Sequence, residues 1–170
     1  MARNETLEIY LTGLRNAHAL ENEAVSIMSR QVERLESYPE VRKRLQEHIR
    51  ETEAQQKRLQ EILSRFDEDT SSIKDLGGKF MGSLAALGHS IAGDEILKNT
   101  FANYAFENYE IASYKSLIAL ADAFGNSADV KLLEQTLGEE IAMAGWIEDN
   151  VEAVTLKFLE LRKAGEPAKV

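Results

Sequence analysis

Residues 104–114, YAFENYEIASY, decide how the chain is read. With steps of three and four residues, Tyr104, Glu107, Ile111 and Tyr114 share one helical face, and Glu110 stands one turn after Glu107. The same seam continues as Leu97, Tyr104, Glu107, Ile111, Tyr114, Ile118 and Ala121 along a helix predicted over about 95–123. Two carboxylates therefore sit on a face that packing should make apolar. An unpaired buried carboxylate costs several kcal/mol, and like charges packed together cost more.

The pattern repeats on either side. A first helix over about 4–36 carries the seam Leu7, Leu11, Leu14, His18, Glu21, Val25, Met28, Val32, Leu35. The second runs to about Arg65 with Val41, Leu45, His48, Thr52, Gln55, Leu59 and Ile62, and Glu51 lies one turn beyond His48 on the same side. The last, ending near Lys163, reads Leu133, Leu137, Glu140, Ala144, Ile147, Val151, Val154, Phe158. Antiparallel helices of similar length superimpose their midpoints, so Glu21, Glu51, Glu107, Glu110 and Glu140 should meet in one layer of the core.

The connections set the topology. Ser37-Tyr38-Pro39-Glu40 has capping-box spacing with a proline suited to a first turn, and Phe124-Gly125-Asn126-Ser127 makes a tight turn capped by Asn126 or Ser127. Each short turn joins an antiparallel hairpin. Between them, residues 71–92 place Ile73, Leu76, Phe80, Leu84, Leu87 and Ile91 at helical spacing, as a crossover helix. The expected architecture is all-α: a ferritin-like antiparallel four-helix bundle with a long helical crossover between helices 2 and 3. One domain over 1–165 is expected, with 166–170 as a frayed tail.

Composition narrows the functions. The formal charge of −9 repels phosphate backbones, so no nucleic-acid partner is expected. The absence of cysteine excludes disulfides, thiolate metal sites and thiol nucleophiles. No segment reaches membrane-spanning length and the start lacks an apolar signal core, which makes the cytoplasm the expected location and a membrane partner unexpected.

Metal ions are the best candidates to neutralise the acid layer. Fe²⁺ and Mn²⁺ suit carboxylate and imidazole ligands, and two-metal bundles draw them from all four helices. Glu21 reads as a terminal ligand, Glu51 and Glu140 as bridges, and Glu107 with Glu110 as further ligands; Glu139 should point outward. The usual Glu-x-x-His pairs are missing, since Ala54 follows Glu51 and Met143 follows Glu140 at that spacing. Instead His48 precedes Glu51 and His18 precedes Glu21 by three residues, either as ligands or as groups orienting the glutamates. His89 lies in the crossover. The competing reading leaves the acids paired with residues such as Arg15 or Arg50, or protonated by burial. Tyr104, Tyr109, Tyr114 and Trp146 read as core fillers, with Tyr104 or Tyr114 also placed to bond a ligand; Met28, Met81 and Met143 read as gap-fillers.

Four stretches together resemble the YciE/YciF family of ferritin-like proteins, and its YciE branch more closely: LRNAHALENEA, SYPEVRKRLQEHIRET, FENYEIASYKSL and LGEEIAMAGW. The ENYEIASYKSL portion is the most specific of these. The resemblance implies a homodimeric bundle with a di-iron-type centre like that of rubrerythrins, whose habit on the corresponding helix the Glu107/Glu110 pair matches. It also implies an association with bacterial stress. Two Fe ions are the expected cofactor, with Mn as the alternative at a histidine-poor centre. The expected activity is reduction of peroxide or O₂; the alternative is a non-catalytic metal-binding or structural bundle.

Overall fold

A computed structural model describes residues 2–66, 93–123 and 125–170. Among the described residues the helices are α1 (Ala2–Val32), α2 (Pro39–Ser64), α3 (Glu95–Ala123) and α4 (Ser127–Ala164). The α1–α2 and α3–α4 pairs pack most extensively, as the short turns require. Amide pairing between Gln31 and Asn103, at 2.9 and 3.2 Å, ties α1 to α3. Contacts of Gln56 with Asn22 and of Gln60 with His18 tie α2 to α1. These registers make α1 and α4 run one way and α2 and α3 the other. The crossover expected at 71–92, with His89 and Met81, lies outside the described residues.

The turns form largely as their residues dictate. Pro39 opens α2, where a missing N–H costs nothing. The capping box does not form: Tyr38 occupies the cap position, and the Ser37 hydroxyl instead donates to the Pro167 carbonyl at 2.9 Å. Gly125 takes φ +70°, and Asn126 caps α4 by accepting from the Asp129 N–H at 3.3 Å. Asp129, fully buried, accepts from Tyr10 Oη at 3.0 Å and pairs with Arg65, so one carboxylate joins α1, α2 and α4.

The final residues are not frayed, which corrects the expectation for 166–170. Gly165 reverses the chain at φ +72°. Tyr38 Oη then donates to the Ala168 carbonyl at 2.7 Å, and the Ile96 N–H to the Lys169 carbonyl at 2.9 Å. Glu95 receives both Arg34, at 2.7 Å, and Lys169, at 3.2 Å. The segment is held because it satisfies exposed groups at the start of α3 and in the α1–α2 turn.

The apolar interior is split. One cluster gathers Leu20, Met28, Leu45, Phe106, Met143 and Ile147; the other gathers Tyr10, Leu14, Leu59, Tyr114, Leu117 and Leu133. Between them lie the buried side chains of Glu21, His48, Thr52, Gln55, Glu107, Glu110 and Glu140. Among the described residues no helix is long and apolar enough to cross a membrane.

Candidate metal centre

His48 organises one side of the polar layer. Placed inward by the α2 stripe Leu45, His48, Thr52, Gln55, Leu59, it is 1% exposed. Its Nε2 lies 3.2 Å from Glu107 Oε2 on α3 and 3.6 Å from Glu140 Oε2 on α4. Neither carboxylate has a hydrogen-bonding partner on its Oε2. These are close polar approaches with spare lone pairs. Ligand atoms from His48, Glu107 and Glu140 fall within 4.8 Å of one another, a spacing one cation can bridge.

Glu51 sits elsewhere. Its Oε2 accepts from His48 Nδ1 at 2.8 Å and from both terminal nitrogens of Arg44, at 3.0 and 3.1 Å, on the partly exposed rim. It therefore fixes the histidine's orientation from outside, whereas the sequence reading made it a bridge. The His48 hydrogen bond, followed by Arg44, holds its carboxyl down to about 2.

Glu21 and Glu110 complete the layer. Tyr114 Oη donates to Glu21 Oε1, as one of the two readings of that tyrosine allowed, while Glu21 Oε2 and Glu110 Oε1 are buried without partners. Burial, reinforced by the charge of Glu140, raises Glu21; burial and then Glu21 and Glu140 raise Glu110. Burial likewise pushes Glu107 up to about 8. Burial opposes the charge on Glu140 too, but His48, Glu107 and Gln55 outweigh it and keep that carboxyl low. For His48, burial works against protonation and loses to the surrounding acids, so its pKa is raised well above 6.5.

His18 stands apart, buried against the α1–α2 seam between Asn22, at 3.1 Å, and Gln60, at 3.0 Å. Burial lowers its pKa. Glu139 does not simply face solvent: Arg58 grips it at 2.7 Å and Gln55 Nε2 donates to it at 3.0 Å. Tyr109 is exposed, Tyr104 and Trp146 pack on one apolar cluster, and Met28 and Met143 lie within it. Thr52, Gln55 and Arg58 were not singled out from sequence as site residues. The seam did contain Thr52 and Gln55, and three successive polar residues on a buried stripe were the available signal.

The donor set fits divalent cations. Four buried acids converge from three helices with one imidazole, and five of their oxygens lack a hydrogen bond. Water could satisfy such atoms but leaves the repulsion among the acids, which a bound cation offsets, as protonation of the raised carboxyls does in its absence.

Two antiparallel hairpins with an acid–histidine layer across their core define an all-α, ferritin-like four-helix bundle. The chain belongs to the family described as a domain of unknown function, DUF892, which it matches over residues 5–160. It is 32% identical to protein YciF of Escherichia coli (strain K12) over 106 residues, 56% of this chain and 60% of that protein. The match thus spans less than two thirds of that relative's length. A crystal structure of a Xanthomonas campestris pv. campestris protein aligns over 93% of this chain and 99% of its own, with TM-score 0.77 and 30% identity. The crystal structure of the E. coli stress protein YciF aligns over 86% and 94%, with TM-score 0.72 and 23% identity, a likeness of fold. These findings support the YciE/YciF family as a whole and do not distinguish its branches.

Proposed function

We propose that the layer holds a pair of divalent transition-metal ions, iron or manganese, and that the protein serves a redox role in stress by reducing peroxide or O₂. The observation that carries this reading is the set of five buried carboxylate oxygens on Glu21, Glu107, Glu110 and Glu140 that lack a hydrogen bond, two of them approached only by His48 Nε2. Charge favours two ions: four ionised carboxylates carry −4, two divalent cations carry +4, and a neutral His48 adds nothing.

In this reading His48, Glu107 and Glu140 hold one ion, and Glu21 and Glu110 extend the layer toward the other. When bound, the pair supplies electrons for two-electron reduction of the oxidant. Glu51, gripped by Arg44, keeps His48 Nδ1 engaged and its Nε2 directed at the acids. Tyr114 holds Glu21 in one orientation. The flanking apolar clusters exclude bulk water from either end. The stress role is carried over from the relative named a stress protein.

A second reading, a non-catalytic bundle whose acids are kept neutral by protons, draws on the raised Glu107 carboxyl and the Tyr114–Glu21 bond. Metal analysis by plasma mass spectrometry on protein from iron- and manganese-supplemented cells separates the two, with peroxide consumption measured before and after chelation. About two ions per chain, with peroxide consumption lost on chelation, is the expected result. Bound metal without turnover leaves a metal-holding bundle; a chain that takes up none on reconstitution contradicts the proposal.

A further inference from the structure

Gln55 is fully buried on the inward stripe of α2, and its Oε1 has no hydrogen-bonding partner. The orientation of its amide is set by chemistry. Glu139, held by Arg58 at 2.7 Å, can only accept, so Gln55 must present its NH₂ group there, at 3.0 Å. Turning the amide over would set two oxygens against each other. The same amide lowers the Glu140 carboxyl, as an N–H does and an oxygen would not, so the oxygen turns away from both acids and remains unpaired in the buried polar layer.

Two-metal bundles place Glu-x-x-His, facing inward, on two of their helices. The inward pairs at that spacing here are Thr52/Gln55 on α2 and Glu140/Met143 on α4. His48, one turn before Thr52, reaches Glu140 and Glu107 and so supplies from α2 the imidazole that α4 lacks at Met143. Gln55 stands where the other imidazole would be.

We infer that Gln55 Oε1 is a ligand of a second cation position in the same buried layer, shared with the unpaired oxygens of Glu21 and Glu110. This rests on the metal-centre reading above. The two positions then differ in kind. The first contains a histidine nitrogen; the second offers oxygen alone, which suits harder ions such as Mn²⁺ and Mg²⁺ and weakens binding of nitrogen-preferring ions such as Co²⁺.

The test is titration of the metal-free full chain with Co²⁺ and, separately, Mn²⁺, by calorimetry and by the EPR signal of free Mn²⁺. Wild type should show two binding events per chain, the second for Co²⁺ weaker by about ten-fold or more. Gln55→Leu should lose the second event and keep the first. Gln55→His should tighten the second Co²⁺ event about ten-fold or more, and the Mn²⁺ event far less; it carries the test if the leucine variant does not fold. Two unchanged events in Gln55→Leu, no change in Gln55→His, or a single event in wild type overturns the inference while leaving a metal centre at His48. Failure of wild type to bind either ion overturns the metal-centre reading itself.

Discussion

Metal-free protein should be most stable near pH 5 and weaken toward neutrality, the reverse of what an acid-rich chain usually invites. Glu107 sets the scale: burial holds its carboxyl at about 8 against an ordinary 4.5. Between those values the native state keeps a proton that the unfolded chain releases, so stability falls as pH rises. Glu21 and Glu110, raised first by burial, act in the same direction. His48, raised against burial by its acid neighbours, contributes stability that is complete below about 6.5 and is lost as pH rises through its folded value. Glu51 and Glu140 are lowered, so their contribution is present above about 4.5 and lost as pH falls through their folded values. The two sets place the optimum near pH 5. One pKa unit is worth about 1.4 kcal/mol, so Glu107 alone removes roughly 3 kcal/mol from pH 5 to 7, or about 5–10 °C in Tm for a chain of this size. Urea and thermal unfolding of chelator-treated protein at pH 5, 6 and 7 read this slope, and Glu107→Gln should flatten it by about 1.4 kcal/mol per pH unit. Saturating Mn²⁺, which competes with the protons, should stabilise more at pH 7 than at pH 5. Metal-free stability that is flat or rising from pH 5 to 7, or an unchanged slope in Glu107→Gln, would refute the reasoning.

Three further outcomes follow from particular contacts. Tyr114→Phe strips Glu21 Oε1 of its donor and should cost the metal-free protein about 1–3 kcal/mol, measured by urea unfolding. Asp129→Ala removes a fully buried carboxylate shared by Tyr10, Arg65 and Asn126; a loss of about 2–4 kcal/mol is expected, with metal stoichiometry unchanged because the contact lies at the bundle end. Removing residues 166–170 should lower Tm and speed amide exchange at Ile96, whose N–H is bonded to Lys169; unchanged exchange there would mean the segment is not docked in solution.

Much of this was legible in the sequence because helical periodicity carries both fold and layer. The seams of α2 and α4 reappear in the buried residues, and the short turns made the hairpins unambiguous. Glu51 shows where periodicity loses resolution. At about 100° per residue it lies roughly 60° from His48 and on the far side from Thr52, so a small rotation of α2 decides between core and rim. Arg44, two turns earlier on the same rim, completes that outer contact and had no signature of its own. The docking of 166–170 depended on tertiary partners, since the segment carries no periodicity and its bonds go mostly to backbone. Gln55 was on the predicted seam, but only the Arg58–Glu139 pair beside it reveals which way its amide must face.

The most direct test of the central claim is an anomalous difference map from crystals grown with Mn²⁺ or Fe²⁺ and recorded at the edge of that metal. A peak within coordination distance of His48 Nε2, Glu107 and Glu140, and a second toward Glu21, Glu110 and Gln55, is the expected result. Clear density for an empty, water-filled or directly proton-bridged carboxylate layer, in crystals soaked with the metal, would contradict it.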